Sequence, residues 1–503
     1  VFRDSYLNRT LTARLYGCNL LLLEEGMFEN YIVRPQLTVL DQQQVQQVHQ
    51  YSLQILSSTG VRVESEFARK LLVDAIGPSA NRQNRVCIPS EMVEWALKAA
   101  PSTVTIYDRN GSLAFELPDQ TRFGIGVTAL YYQDPETNQV VPFAREHMAQ
   151  LVRLGNALTS FELISTVGVI QDVDQDISDL YAALEMTANT VKPLVVLVSN
   201  ETVFPVVLDL LEHLRGDIRH RPSIIPYFNP ITPLVINAGT AEKMRVAIER
   251  GLPIIYSNYG MAGATTPITP AGMLALLNAE LLAGLVLGQL IKDGAPMILG
   301  SLPAYFNMQG KGSFYDPKSY LVNLATAKMM NYYQLPHAGT SGSGVGWGAD
   351  LITSGHQWMN HLVSCCGNAG LVPFVGDTLG SMVFSPDIIV YADDIIQQAR
   401  RFWQGFVLNE ATVAMDDIAE LGPGGHFLLS DLTLNEVRSA YHQSKIFENL
   451  TFDSWQEKGC PQAEDYLKRY TQKLLSECQP PADHDDLVAR GEAFIDSLQQ
   501  NSV

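Results

Sequence analysis

The chain has 503 residues, 46% hydrophobic and 17% charged, a globular balance far from that of disordered chains. Its net charge of -19 excludes general nucleic-acid binding, which needs a basic face for phosphate, and suits docking to a basic partner. The cysteines Cys18, Cys87, Cys365, Cys366, Cys460 and Cys478 show no CxxC spacing. No zinc motif is therefore read, and free thiols in a reducing cytoplasm are expected.

Leu20 to Leu23 is too short to span a membrane and is followed by Glu24 and Glu25. Residues 271–291 are long enough, but they carry Asn278, Glu280 and Gln289 beside the small residues Gly272, Ala279, Ala283 and Gly284. That pattern reads as a buried helix packed closely on a sheet, and no membrane association is expected.

In chain order, residues 1–118 read as an accessory layer. Asp41 caps a helix over 41–58, with Val45, Val48, Leu53 and Leu56 on its apolar side. A short strand at 61–63 and helical segments at 65–72 and 90–99 follow. The turn Arg109-Asn-Gly111 predicts that 103–107 and 113–117 pair as a hairpin. From Thr121 short apolar runs alternate with helical segments. Candidate strands are 122–126, 163–170, 194–198, 224–227, 254–256, 297–299, 336–338 and 372–375. Helical segments include 145–154, 177–189, 241–250, 271–291, 318–332 and 386–406. Runs buried on both faces suit parallel strands. Eight such units make a (β/α)8 TIM barrel over 119–410 the expected α/β fold, with a doubly wound open sheet as the alternative. Residues 411–503 read as a C-terminal helical extension packed on the barrel. Amphipathic helices are expected at 434–446 and 460–478.

Active sites of such barrels lie beyond the carboxyl ends of the strands. The residues there are Tyr131 and Tyr132; Gln171 and Asp172; Tyr227, Phe228 and Asn229; Tyr256, Ser257, Asn258 and Tyr259; Pro303, Tyr305 and Phe306; His337 and Trp347; and Asp377. This rim is rich in aromatics and poor in Lys and Arg. An aromatic enclosure suits a quaternary ammonium, whose charge the ring faces attract. The plainer reading of any one tyrosine is a ring covering the core with its hydroxyl in water. His337 reads as a polar contact or proton carrier, and His356 as structural. Asp393 and Asp394 need only a solvated or capping role.

The stretch Gly339-Thr-Ser-Gly-Ser-Gly-Val-Gly-Trp-Gly348 has neither GxxxxGK[ST] nor a strict GxGxxG. It reads as backbone that lets a large flat ligand or another protein come close. In Met261-Ala-Gly-Ala-Thr-Thr-Pro-Ile-Thr-Pro270, Thr269 is a plausible N-cap and Pro270 the first helical residue, which explains that segment structurally.

With these elements in place, the chain resembles the trimethylamine methyltransferase family, in its branch without pyrrolysine, from about Arg34 to Trp455. The resemblance is carried by Arg34-Pro-Gln-Leu37, Thr59-Gly-Val-Arg-Val63, Ile88-Pro-Ser90 with Ala100-Pro101, Tyr107-Asp-Arg-Asn-Gly111 and Asp134-Pro-Glu-Thr137. Asn229-Pro-Ile-Thr-Pro-Leu234, Met261 to Pro270, Asn278-Ala-Glu280, Gly294-Ala-Pro-Met-Ile-Leu-Gly-Ser301 and Gly422-Pro-Gly-Gly-His-Phe-Leu428 continue it. The resemblance implies a barrel and methyl transfer to Co(I) of a cognate corrinoid (cobalamin) protein docked over its mouth. Ser341, Gly342, Ser343 and Gly344 are the residues assigned to meet the corrinoid. No pyrrolysine occurs, and the loop departs from the family's pattern at Gly344 to Trp347, with Asp350 and Ser354-Gly355 matching it only loosely.

Co(I) attacks a methyl carbon in line, and a quaternary ammonium departs as a neutral amine, so only proximity, alignment and exclusion of water are needed. Losing pyrrolysine therefore favours glycine betaine, proline betaine or carnitine over trimethylamine. The expected substrate-binding set is Tyr131, Tyr227, Asn229, Tyr256, Asn258, Tyr305, His337 and Trp347, with no catalytic residue assigned. A methylated sulfonium substrate and a non-catalytic ligand-binding barrel are the alternatives. A cytoplasmic homo-oligomer is expected.

Overall fold

The computed structural model describes residues 31–82, 84–310, 312–340 and 344–500. Leu20 to Leu23 and Ser341 to Ser343 lie outside them. The described residues divide into two compact units, one of residues 31–34 and 405–441 and the other of 35–404 and 442–500. In the first, strand Tyr31–Val33 pairs antiparallel with Phe406–Leu408. A side chain at Gly405 would meet the Val33 carbonyl, and Gly405 also has φ of +69°. The helices Glu410–Val413, Met415–Leu421 and Asp431–Glu436 complete the unit.

The second unit holds the barrel. Strands one to six are Arg122–Ile125, Phe161–Ser165, Leu194–Val196, Ile224–Phe228, Ile254–Ala262 and Met297–Asn307. Strand eight is Leu371–Val375 and pairs in parallel with strand one. The seventh position is His337 and Ala338, which bridge in parallel to Leu299 and Leu371 and so close the ring. Each strand is followed by its helix: α1 Arg145–Ala157, α2 Gln175–Asn189, α3 Phe204–Arg215, α4 Ala238–Glu249, α5 Pro270–Ile291, α6 Pro317–Tyr333, α7 Leu351–Cys366 and α8 Pro386–Gln404. The eight expected strands all recur. The second is shorter than read, because the chain leaves regular pairing after Ser165.

The lumen is filled by Leu163, Val195, Ile225, Ile255, Ile298 and Leu371. Val104, Ile106, Phe115 and Leu117 of the hairpin Val104–Tyr107 and Leu113–Leu117 pack onto this set. The hairpin bonds to the amino ends of strands three and four, Tyr107 N to Pro222 O and Arg109 N to Val191 O. It therefore stoppers the foot of the barrel and leaves the carboxyl ends as the open side.

Helix α5 is apolar all round, so it must be buried on every side. Thr269 caps it and Pro270 starts it. Among the described residues it alone is long and apolar enough to cross a membrane, and 83% of its apolar stretch is buried inside the protein. Strands five and six cover one side, and the accessory helices Gln42–Gln54, Glu66–Ile76 and Ser90–Ala99 cover the other. Asp41 caps the first of these in a capping box with Gln44. Helices Ala463–Glu477 and His484–Gln500 pack on α8 and on α2 and α3.

Candidate active site

A cavity of about 300 Å³ opens at the carboxyl ends of strands one to four, lined by Thr128, Thr166, Asp179, Tyr227, Asn229 and Lys243 among others. Tyr227 points into the lumen, where its ring meets Phe374 edge to face at 5.1 Å. Its buried hydroxyl faces Ser257 and Asn229, and burial pushes it up to about 12. Neither the Tyr227 hydroxyl nor that of Ser257 has a formed hydrogen bond. Asn229 is fixed: its Nδ2 donates to Ser257 O at 2.8 Å and its carbonyl accepts from Thr240 Oγ1 at 2.7 Å. Lys243 donates to Val198 O at 2.7 Å, and burial lowers its ammonium below the ordinary value. Asp179, which accepts from Ser199, is raised by burial.

The expected tyrosine cage does not assemble. Parallel neighbours share a face, and the register pairs Tyr227 with Ile255 and Phe228 with Tyr256. Tyr256 therefore points outward, against α5, where Gly284 leaves room for its ring. Asn258 shares that face and donates to Leu277 O and Glu280 Oε2, both at 2.9 Å. Tyr305 sits where strand six runs on as a hairpin and packs on Phe314 at 6.1 Å. Tyr131 belongs to a rim sheet with Val140–Pro142 and Val383–Phe384 and is 37% exposed. Trp347 is 68% exposed.

His337 lies with Asn323 around Gly339, on the face turned to α6, while the lumen-facing neighbour is Ala338. Its Nδ1 pairs with Ala369 O at 2.7 Å, and burial holds the ring down at about 4, hence neutral. Of the aromatic and polar residues expected to bind substrate, Tyr227 and Asn229 line the cavity; the others do not.

The glycine-rich stretch is zipped onto the loop after strand eight. Gly380 N donates to Gly344 O at 2.9 Å, Leu379 N to Gly346 O at 3.1 Å and Thr378 Oγ1 to Gly346 O at 2.6 Å. Gly344 and Gly346 have φ near +80°, and a Cβ on Gly346 would lie 1.9 Å from Thr353 Oγ1. Asp350 then caps α7 and holds Trp347 N at 2.8 Å.

Two buried acids carry features that residue patterns did not reveal. Glu280 on α5 accepts from Thr232 Oγ1 at 2.8 Å, from Asn258 Nδ2 at 2.9 Å and from Leu234 N. Burial pushes it up to about 7 against these three donors. It braces the loop after strand four, which explains why the Asn229 to Leu234 and Asn278 to Glu280 segments belong together. Asn278 Nδ2 makes the matching tie to the accessory layer by donating to Ser52 Oγ, and it also donates to Tyr333 Oη at the end of α6, both at 2.9 Å.

Asp377, just past strand eight, is fully buried, and neither carboxylate oxygen has a hydrogen bond. The Ser381 hydroxyl faces it, and burial raises the acid to about 7. The Tyr320 hydroxyl of α6 faces Asn360 of α7 and senses the Asp377 charge. That hydroxyl, both amide atoms of Asn360 and Gln357 Oε1 are also buried without partners. The sequence does hold a signal for this group: Thr353, Gln357, Asn360 and Ser364 form a polar stripe at helical spacing, and all are buried.

A family model described as trimethylamine methyltransferase (MTTB) matches residues 25–502. The glycine betaine methyltransferase of Desulfitobacterium hafniense strain Y51 is 27% identical over 474 residues, spanning 92% of this chain and 97% of that protein. The trimethylamine methyltransferase MttB of Desulfitobacterium hafniense strain DSM 10664 / DCB-2 is 25% identical over 85% of this chain and 87% of its own. Among solved structures, the monomethylamine methyltransferase MtmB of Methanosarcina barkeri superposes with a TM-score of 0.52 at 9% identity, covering 88% of each chain. At that identity the likeness speaks for the fold.

Proposed function

Because the chain belongs to the trimethylamine methyltransferase family, we propose that it moves a methyl group from a quaternary ammonium carboxylate to the cobalt of a corrinoid carried by a partner protein. The betaine class (glycine betaine, proline betaine, carnitine) is the substrate class. The observation that carries the reading is the small cavity at the open end of the barrel, with Tyr227 and Asn229 on one wall and Lys243 on another. Its volume of about 300 Å³ sits at the small end of ligand sites. Lys243 has one donor committed to Val198 and further donors for a substrate carboxylate.

The corrinoid supplies a nucleophilic metal. The chain's own part is to hold the methyl group in line and dry. The hairpin stopper leaves one approach to the lumen. Around that approach Leu130, Val169, Leu379 and Met382 are exposed beyond strands one, two and eight, an apolar rim suited to a flat macrocycle and its carrier. A quaternary nitrogen leaves as a neutral amine, so no side chain has to donate a proton for the C–N bond to break. Neutral trimethylamine would have to expel an amide anion unless its nitrogen were first protonated or otherwise activated, and no pyrrolysine occurs in the sequence to handle it.

The test is incubation with the reduced partner protein and, in turn, glycine betaine, proline betaine, carnitine, trimethylamine and a methylated sulfonium. Loss of Co(I) absorbance and mass-spectrometric detection of the demethylated product are read together. Turnover of one betaine and not of trimethylamine is expected. Turnover of trimethylamine, or saturable binding with no product from any compound, would overturn the proposal, the latter in favour of a binding protein.

A further inference from the structure

We propose that Asp377 is the countercharge for the substrate's quaternary nitrogen, with Tyr320 and Asn360 completing its polar surround. This rests on the betaine reading and adds the residue that recognises the cation.

The argument starts from a deficit. An ionised carboxylate taken out of water needs either donors or a cation, or it reverts to the neutral acid. Asp377 is nearly bare of both: the Ser381 hydroxyl and its own backbone N–H face it, but neither buried oxygen has a formed hydrogen bond, and among the described residues no Lys, Arg or His acts on its charge. Glu280 in the same barrel shows the contrast, since three donors meet its two oxygens. Asp377 is thus a buried acid left open just past strand eight, and Tyr320, Asn360 and Gln357 of α6 and α7 also hold unpartnered polar atoms. Buried polar atoms are almost always satisfied, so a group of unsatisfied ones from three elements marks a place for a ligand.

The ligand's chemistry follows from the site. A quaternary ammonium brings a full positive charge and no N–H, so it cannot use the acceptors that ordinary donors fill. It needs negative charge or aromatic faces. The aromatic route is mostly closed, because Tyr256 faces α5 and Tyr131 and Trp347 face solvent. Negative charge remains. Asp377 stands three residues beyond Phe374, whose ring rests on Tyr227 in the cavity wall. It also lies under the glycine-rich stretch through Ser381, which a Cβ at Gly344 would touch at 3.0 Å. Loss of the methyl group turns the cation into a neutral amine, so the same carboxylate that holds the substrate loses its grip on the product.

The test compares glycine betaine with 3,3-dimethylbutanoate, which keeps the carboxylate and shape but has carbon in place of nitrogen. Calorimetric affinities of both are measured for the full chain, for Asp377→Asn, for Asp377→Ser as a second neutral variant, and for Asp377→Glu. The wild type is expected to prefer betaine by on the order of tenfold to a hundredfold. The neutral variants should lose most of that preference, and Asp377→Glu should keep part of it. An unchanged preference in either folded neutral variant overturns the inference. If such a variant keeps its preference while the wild type demethylates betaine, only this inference falls. If the wild type shows no preference, or binds neither compound, the inference is overturned; binding of neither also removes the betaine reading beneath it.

Discussion

Replacing Asp377 by Asn removes a buried charge that the empty protein has to tolerate, so the variant should be more stable than the wild type at neutral and alkaline pH. Unfolded, the carboxyl titrates near its ordinary 3.8; folded, it titrates at about 7. Between those values the folded chain holds more protons than the unfolded one, so this residue makes stability fall as pH rises. Above about pH 7 both states are ionised and the loss is complete. A change from 3.8 to about 7 corresponds to about 4 kcal/mol. Relaxation of the site makes that an upper figure. The assay is urea unfolding of wild type and variant from pH 5 to 8.5, with the difference in midpoint converted through a common slope. The gap in favour of Asp377→Asn should widen steadily to pH 7 and then stay flat. A gap that does not change with pH would show that the carboxyl is ordinary, and would refute the reasoning. Glycine betaine added at saturation should narrow the gap by stabilising the wild type more than the variant.

Other perturbations separate bracing from binding. Glu280→Ala leaves the donors of Thr232, Leu234 and Asn258 without their acceptor and should lower unfolding free energy by roughly 3–5 kcal/mol, read by denaturant titration. Tyr227→Ala should weaken betaine binding about tenfold in calorimetry, whereas Tyr256→Phe should leave it unchanged, since that ring faces α5. Lys243→Met should raise KM for carboxylate-bearing substrates and leave the affinity for tetramethylammonium unaltered. Gly284→Ala puts a methyl group 2.1 Å from the Tyr256 ring and should lower stability by about 1–3 kcal/mol, seen as a drop in Tm.

The barrel was legible because its strands are short apolar runs set between helical segments, and that alternation survives any local error in boundaries. Which way each strand-end side chain points was not. Ile254, Ile255 and Tyr256 are all apolar and all buried, one face on the lumen and the other on α5, so the pattern of residue types contains no parity. One position decides between Tyr227 in the cavity and Tyr256 behind the wall. Asp377 stood in view after strand eight, but its burial with so few donors is a property of the tertiary packing around it and not of its place in the chain. Glu280 was visible as an argument against a membrane span; its three donors lie 22, 46 and 48 residues away in the chain. The expected helix over 434–446 was misread for a different reason. The helix observed, Asp431–Glu436, buries none of its residues, and an apolar stripe without a surface to cover cannot sustain a longer one.

The stopper at the foot of the barrel sets the order of events. On the proposed reading, with the cobalt carrier seated over the open end, a vessel with a single neck must be filled before it is corked, so the small molecule would have to be inside before the carrier sits down. The spent amine, in turn, would leave only after the carrier lifts off. Turnover would then slow as free carrier accumulates, because a carrier seated on an empty vessel would keep the next molecule out.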